Sequence, residues 1–82
     1  MIVELNQCIY EMNGKQFIEL VKAAKKTFDC YAIVSVEKDG LATMTKDAYE
    51  NLDSLKEAIK EYKSNGFKVY YTVPKRGKRE KS

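Results

Sequence analysis

These 82 residues contain no histidine, no tryptophan, one proline, two cysteines and two arginines. Each shortage removes a class of chemistry. Without histidine the chain lacks the commonest metal ligand and the side chain best matched to proton transfer near neutral pH. A nucleophilic thiol would need a carboxylate or lysine as its base, and nothing in the spacing of Cys8 and Cys30 sets one up. Paired carboxylates for hydrolysis would have to be assembled from Glu4, Glu11 and Glu37, which the strand pattern puts on the surface. The four glycines, at 14, 40, 66 and 77, are scattered among turns, caps and a linker, so no glycine-rich phosphate loop exists. The cysteines show no metal spacing and are expected as buried thiols that behave as small apolar side chains. No apolar run approaches the ~20 residues of a membrane span, and Met1 leads straight into a strand pattern holding Glu4, not into a leader. The expectation is a cytoplasmic, non-enzymatic protein without metal or cofactor.

Charge is present, but unevenly. Residues 1–74 carry ten lysines against eleven acids, a net −1. Residues 75–82, KRGKREKS, hold Lys75, Arg76, Lys78, Arg79 and Lys81 against Glu80, a net +4, and no apolar side chain. The chain therefore divides into a single α+β domain over 1–74 and a basic tail over 75–82 that is expected to be disordered. Length supports one modest core and no more.

Within the domain the apolar spacing alternates between the two periods. Residues 2–5 alternate as a strand, then the alternation slips at Asn6-Gln7. Either a bulge there carries Val3, Leu5, Cys8, Tyr10 and Met12 onto one side of a long strand, or the strand ends and a loop follows. Phe17, Leu20, Val21, Ala24 and Phe28 recur at helical spacing, and Asn13 with Gln16 makes a capping box, so a helix is expected over about 14–27. The run Cys30 to Thr45, with Asp39-Gly40 inside it, reads as a β-hairpin. A three-residue loop, Lys38-Asp39-Gly40, pairs Glu37 with Leu41 and puts Ala32, Val34, Val36, Ala42 and Met44 on one face. A two-residue loop mixes the valines with threonines. The cleaner separation favours the three-residue loop. A second helix follows, capped by Asp47, with Ala48, Leu52, Leu55, Ile59 and Tyr62 as its stripe and Asn65-Gly66 as its stop. In the last strand Phe67, Val69, Tyr71 and Val73 point inward and Tyr70 outward, until Pro74 ends pairing.

Strand, helix, hairpin, helix, strand is the split βαβ order of a ferredoxin-like sandwich: a four-stranded antiparallel sheet, order 4-1-3-2, with both helices on one face. The fold carries no activity by itself. Two functions remain. A nucleic-acid contact would use Lys75, Arg76, Lys78, Arg79 and Lys81, extended by Lys22 and Lys26 (with Lys15 and Lys25) of the first helix if the tail folds back. An RNA-reading sheet is disfavoured, because the third strand lacks an aromatic and Glu4 would lie on the open face. A protein contact, with a second copy or a host protein, would use Tyr31, Ile33, Tyr70 and Thr43 on that open face. Small accessory proteins of phages and mobile elements, including inhibitors of host defence complexes, share this composition.

Overall fold

The computed structural model describes residues 1–74; the tail expected to be disordered, 75–82, falls outside them. The elements are β1 (Ile2–Leu5), β2 (Cys8–Glu11), α1 (Gly14–Thr27), β3 (Tyr31–Lys38), β4 (Leu41–Tyr49), α2 (Leu52–Ser64) and β5 (Lys68–Thr72). The chain is an α+β protein with two helices and one five-stranded mixed sheet, ordered β2-β1-β4-β3-β5. β1 runs parallel to β4, and every other neighbour is antiparallel. This corrects the expected four-stranded antiparallel sheet.

The correction begins at Asn6-Gln7. Both residues sit at positive φ, 52° and 69°, and close a two-residue hairpin that is neither of the two expected alternatives. Turns of this hand match the twist of the flanking strands. The far end is tied by the Met12 amide donating to the Met1 carbonyl at 3.0 Å and the Met1 ammonium donating to the Met12 carbonyl at 2.7 Å. β2 and β4 thereby occupy both edges of β1, so β5 pairs with the free edge of β3. That is why the order departs from 4-1-3-2.

The β3–β4 turn also differs. Lys38 pairs with Leu41 and Val36 with Thr43, so the loop is the two residues Asp39 and Gly40, at φ 51° and 80°. The register then shifts between Ile33 and Ser35 against both β4 and β5, with Lys46 at φ 56°. This bulge turns Val34 toward the same side as Ser35, away from Ile33 and Val36. The hydroxyls of the two strands satisfy the carbonyls it disturbs. Ser35 Oγ donates to the Thr43 carbonyl at 2.9 Å, and Thr45 Oγ1 donates to the Ile33 carbonyl at 2.8 Å.

As a result all of Ala32, Ile33, Val34, Ser35 and Val36 are buried. A strand buried on both faces needs a layer on each side. Val3, Val34, Ala42 and Met44 pack with Phe17 and Val21 of α1, while Ile33 and Val36 pack with Leu55 of α2. Side chains alternate across a strand, so the two helices lie on opposite faces of the sheet, not together on one as expected.

α1 has the expected bounds and the full capping box, Asn13 Oδ1 accepting from the Gln16 amide and Gln16 Oε1 from the Asn13 amide. α2 starts later than expected. β4 continues through Asp47 and Ala48 to Tyr49, and Asn51 is the N-cap, its side chain accepting from the Ser54 amide at 2.9 Å. Gly66, at φ 88°, ends it in the left-handed conformation that favours glycine. Neither cysteine is buried: Cys8 is exposed on β2 and Cys30 is half-buried. Among the described residues no helix is long and apolar enough to cross a membrane.

Candidate nucleic-acid interface

α1 commits one stripe to the sheet. Phe17 and Val21 are buried, Leu20, Ala24 and Phe28 pack partly, and the lysines are left on the remaining surface. Lys22 and Lys26 are four apart and therefore neighbours on one exposed face. Lys25 and Lys26 stand in the last turn, where positive charge complements the helix dipole. The Phe28 amide donates back to the Lys25 carbonyl at 3.2 Å and the Thr27 hydroxyl to the Ala24 carbonyl at 2.7 Å, which closes this end.

The end of β5 comes to the same corner. Thr72 pairs with Ala32 at the start of β3, and Tyr71, 44% exposed, sits just before it. Lys25, Lys26, Tyr71, Thr72 and Val73 line an open cleft of about 540 Å³. In sequence, Lys75 follows Val73 by two residues. Lys25 and Lys26 thus stand beside the end of β5 from which the +4 segment continues in sequence, and Tyr71 lines the same cleft from the strand. Of the expected phosphate-contacting residues, Lys26 lines this cleft, Lys22 stands one turn before it on α1, and Lys75, Arg76, Lys78, Arg79 and Lys81 lie outside the described residues. Tyr71 was expected inward and is the residue that the sequence did not mark.

The four residues expected to form a protein contact do not share a surface. Ile33 is fully buried. Tyr31 is half-buried in the cluster beneath α2. Tyr70 lies on the other side, edge-on to Phe17 at 5.3 Å between centroids, its hydroxyl donating to Glu37 Oε1 at 3.3 Å. Burial first, then the adjacent Glu37 carboxylate, hold the Tyr70 phenol above its usual pKa. Only Thr43 borders open sheet. The cause is the second helix layer: at β3 the face that was expected to be open carries a helix as well.

The vacant area lies elsewhere. α2 covers β3 and β5 and reaches the end of β4 at Tyr49; among the described residues no helix covers the same side of β1, β2 and the start of β4. Pairing sets Glu11, Ile2 and Leu41 in one row there and Ile9, Glu4 and Thr43 in the next. Ile9 is 63% exposed and Leu41 53%. Alternation in 8–12 places Ile9 and Glu11 opposite Cys8 and Tyr10, but without the Asn6-Gln7 turn that pattern could not be tied to a face.

Among the described residues no three of cysteine, aspartate and glutamate group closely enough to hold a metal ion. No protein-family model, curated protein or solved structure matches the chain. The fold and its charge distribution carry the functional argument alone.

Proposed function

We propose that this chain is a small non-catalytic binding module that holds nucleic acid by its phosphates, using the corner of α1 and the end of β5 together with the basic run that follows in sequence. What supports the reading is one coincidence of placement: Lys25, Lys26 and the exposed Tyr71 meet where the strongly basic segment begins. Lysine ammonium groups neutralise phosphates and release condensed counterions, a contact that reads charge spacing and not sequence. Tyr71 can offer its ring to an unpaired base, a contact worth about 1–3 kcal/mol that any base satisfies. Lys22 extends the positive surface one turn up α1.

The test is a salt titration of the full chain with a labelled single-stranded oligonucleotide and its duplex. With about six phosphates neutralised, log affinity falls against log salt with a slope near roughly −5 on duplex and −4 on single strands. Removing residues 75–82 lowers affinity most, Lys25→Glu with Lys26→Glu lowers it by at least about tenfold, and Tyr71→Ala weakens the single strand more than the duplex. Affinity that is flat in salt, or unaltered by these changes, overturns the reading.

A further inference from the structure

The uncovered part of the sheet beside α2 has the form of a binding groove, with chemistry opposite to that of the basic corner. Its floor is the two rows described above, in which Ile2, Ile9 and Leu41 are the exposed apolar side chains and Glu4 and Glu11 the charged ones. Its wall is the flank of α2. Ala58, Glu61 and Tyr62 line a cleft of about 400 Å³ together with Phe67, and Phe67 also borders the hollow over Leu41 and Thr43. The wall is firm: Tyr62 and Phe67 meet edge to face at 5.5 Å. Lys38 is turned onto the Phe67 ring, 5.4 Å from its centroid.

The dimensions suit one kind of occupant. Three strands at about 4.8 Å spacing offer a floor about 10 Å across. A helix is about 10 Å wide with its side chains and packs 8–10 Å from a neighbouring helix axis. The strip that the described residues leave open is therefore about one helix wide, beside a helix already in place.

Charge narrows the identity of that helix. The floor and wall present Glu4, Glu11 and Glu61, with Asp47 further along β4, against one cation, Lys38, which is held over the Phe67 ring at the end of the hollow. A second copy docked face to face would set these carboxylates against their own counterparts. The chain's segment 75–82 has the right charge but no apolar side chain to cover Ile9 and Leu41. We infer that the strip between α2 and β2 docks an amphipathic helix of a partner protein, one whose apolar stripe is flanked by lysine or arginine. The apolar stripe covers Ile2, Ile9 and Leu41, and the flanking cations meet Glu4 and Glu11. A protein with this surface and the basic corner would join a nucleic acid to a basic protein segment.

The experiment uses the full chain and three synthetic peptides: an amphipathic leucine–lysine helix, a leucine–glutamate helix of the same pattern, and a scrambled leucine–lysine peptide of the first one's composition. Calorimetry is expected to show binding of the patterned leucine–lysine helix at least tenfold tighter than either control. Ile9→Asp with Leu41→Asp lowers that affinity at least tenfold, while circular dichroism and oligonucleotide binding stay unaltered because both side chains are exposed. Glu4→Lys with Glu11→Lys reverses the preference toward the leucine–glutamate helix. Equal binding of patterned and scrambled peptides overturns the inference, as does indifference to the four substitutions. So does a dimer that Ile9→Asp dissolves, which would assign the strip to a second copy. Failure of oligonucleotide binding alone would leave this result standing and remove only the proposed function.

Discussion

The two halves of the sheet are finished differently. On the β3–β5 side both faces are covered, α1 over one and α2 over the other, and five consecutive residues of β3 are buried. On the β1–β2 side α1's cluster reaches Val3 on one face, no helix among the described residues covers the other, and all four residues of β2 are exposed. A strand edge left long and apolar invites association, yet β2 keeps Ile9 and Tyr10 outward on only four residues. The difference separates a half whose side chains hold the fold from a half whose side chains are free to hold something else.

The largest test of that contrast sets Leu55→Ala beside Ile9→Ala. Leu55 is fully buried beneath Ile33 and Val36, so its truncation costs about 2–5 kcal/mol and lowers Tm by more than about 10 °C. Ile9→Ala changes stability by no more than about 0.5 kcal/mol. Comparable losses at both sites would show that the β2 half is core. Next comes the bulge. Ser35→Ala leaves the Thr43 carbonyl without its hydroxyl donor in a buried setting, a loss of about 1–3 kcal/mol by urea unfolding. A neutral result would mean that the bulge carbonyl finds another donor.

The bulge is also where the sequence stopped being readable. α1 was legible to the residue, because Asn13, Gln16 and the Phe17–Val21 spacing agree on one answer. The β3–β4 turn was not, since its length was judged by sorting apolar from polar residues onto two faces. That criterion assumes one wet face. With both faces of β3 buried, Ser35 sits inside as readily as Val34 and the sorting carries no information. The same missing fact misplaced Tyr31, Ile33 and Tyr70. The hairpin at Asn6-Gln7 escaped for a local reason, as it uses two non-glycine residues at positive φ where glycine is the usual signal. The lysines of α1 were legible as a basic face; their meeting with Tyr71 depends on β5 pairing with β3, which no local pattern encodes.

Smaller effects sharpen the picture at the turns. Gly40→Ala meets open space, but at φ +80° the added methyl strains the backbone by about 1 kcal/mol, measurable as a shift in the denaturation midpoint without a change in slope. Asn13→Ala removes half of the capping box and costs about 1 kcal/mol. Two tyrosines give the fold a pH dependence on the alkaline side. The Tyr70 phenol is held above its usual pKa of 10.0 by burial and by Glu37, so its neutral form stabilises the fold. That contribution is complete below about pH 10 and is lost as pH rises through the higher folded value. Tyr49, raised by burial and then Asp47, acts in the same direction. Tyr70→Phe should flatten the fall in stability above pH 10; an unaltered profile would remove Tyr70 from the explanation.

The division of labour between the two surfaces is tested most directly by mapping backbone amide shifts while a single-stranded oligonucleotide is titrated into the full chain. The account predicts shifts at Lys22, Lys25, Lys26 and Tyr71 that fade as salt rises, with Ile2, Ile9 and Leu41 unmoved. Shifts centred on Ile9 and Leu41, or none at the corner at low salt, would contradict it.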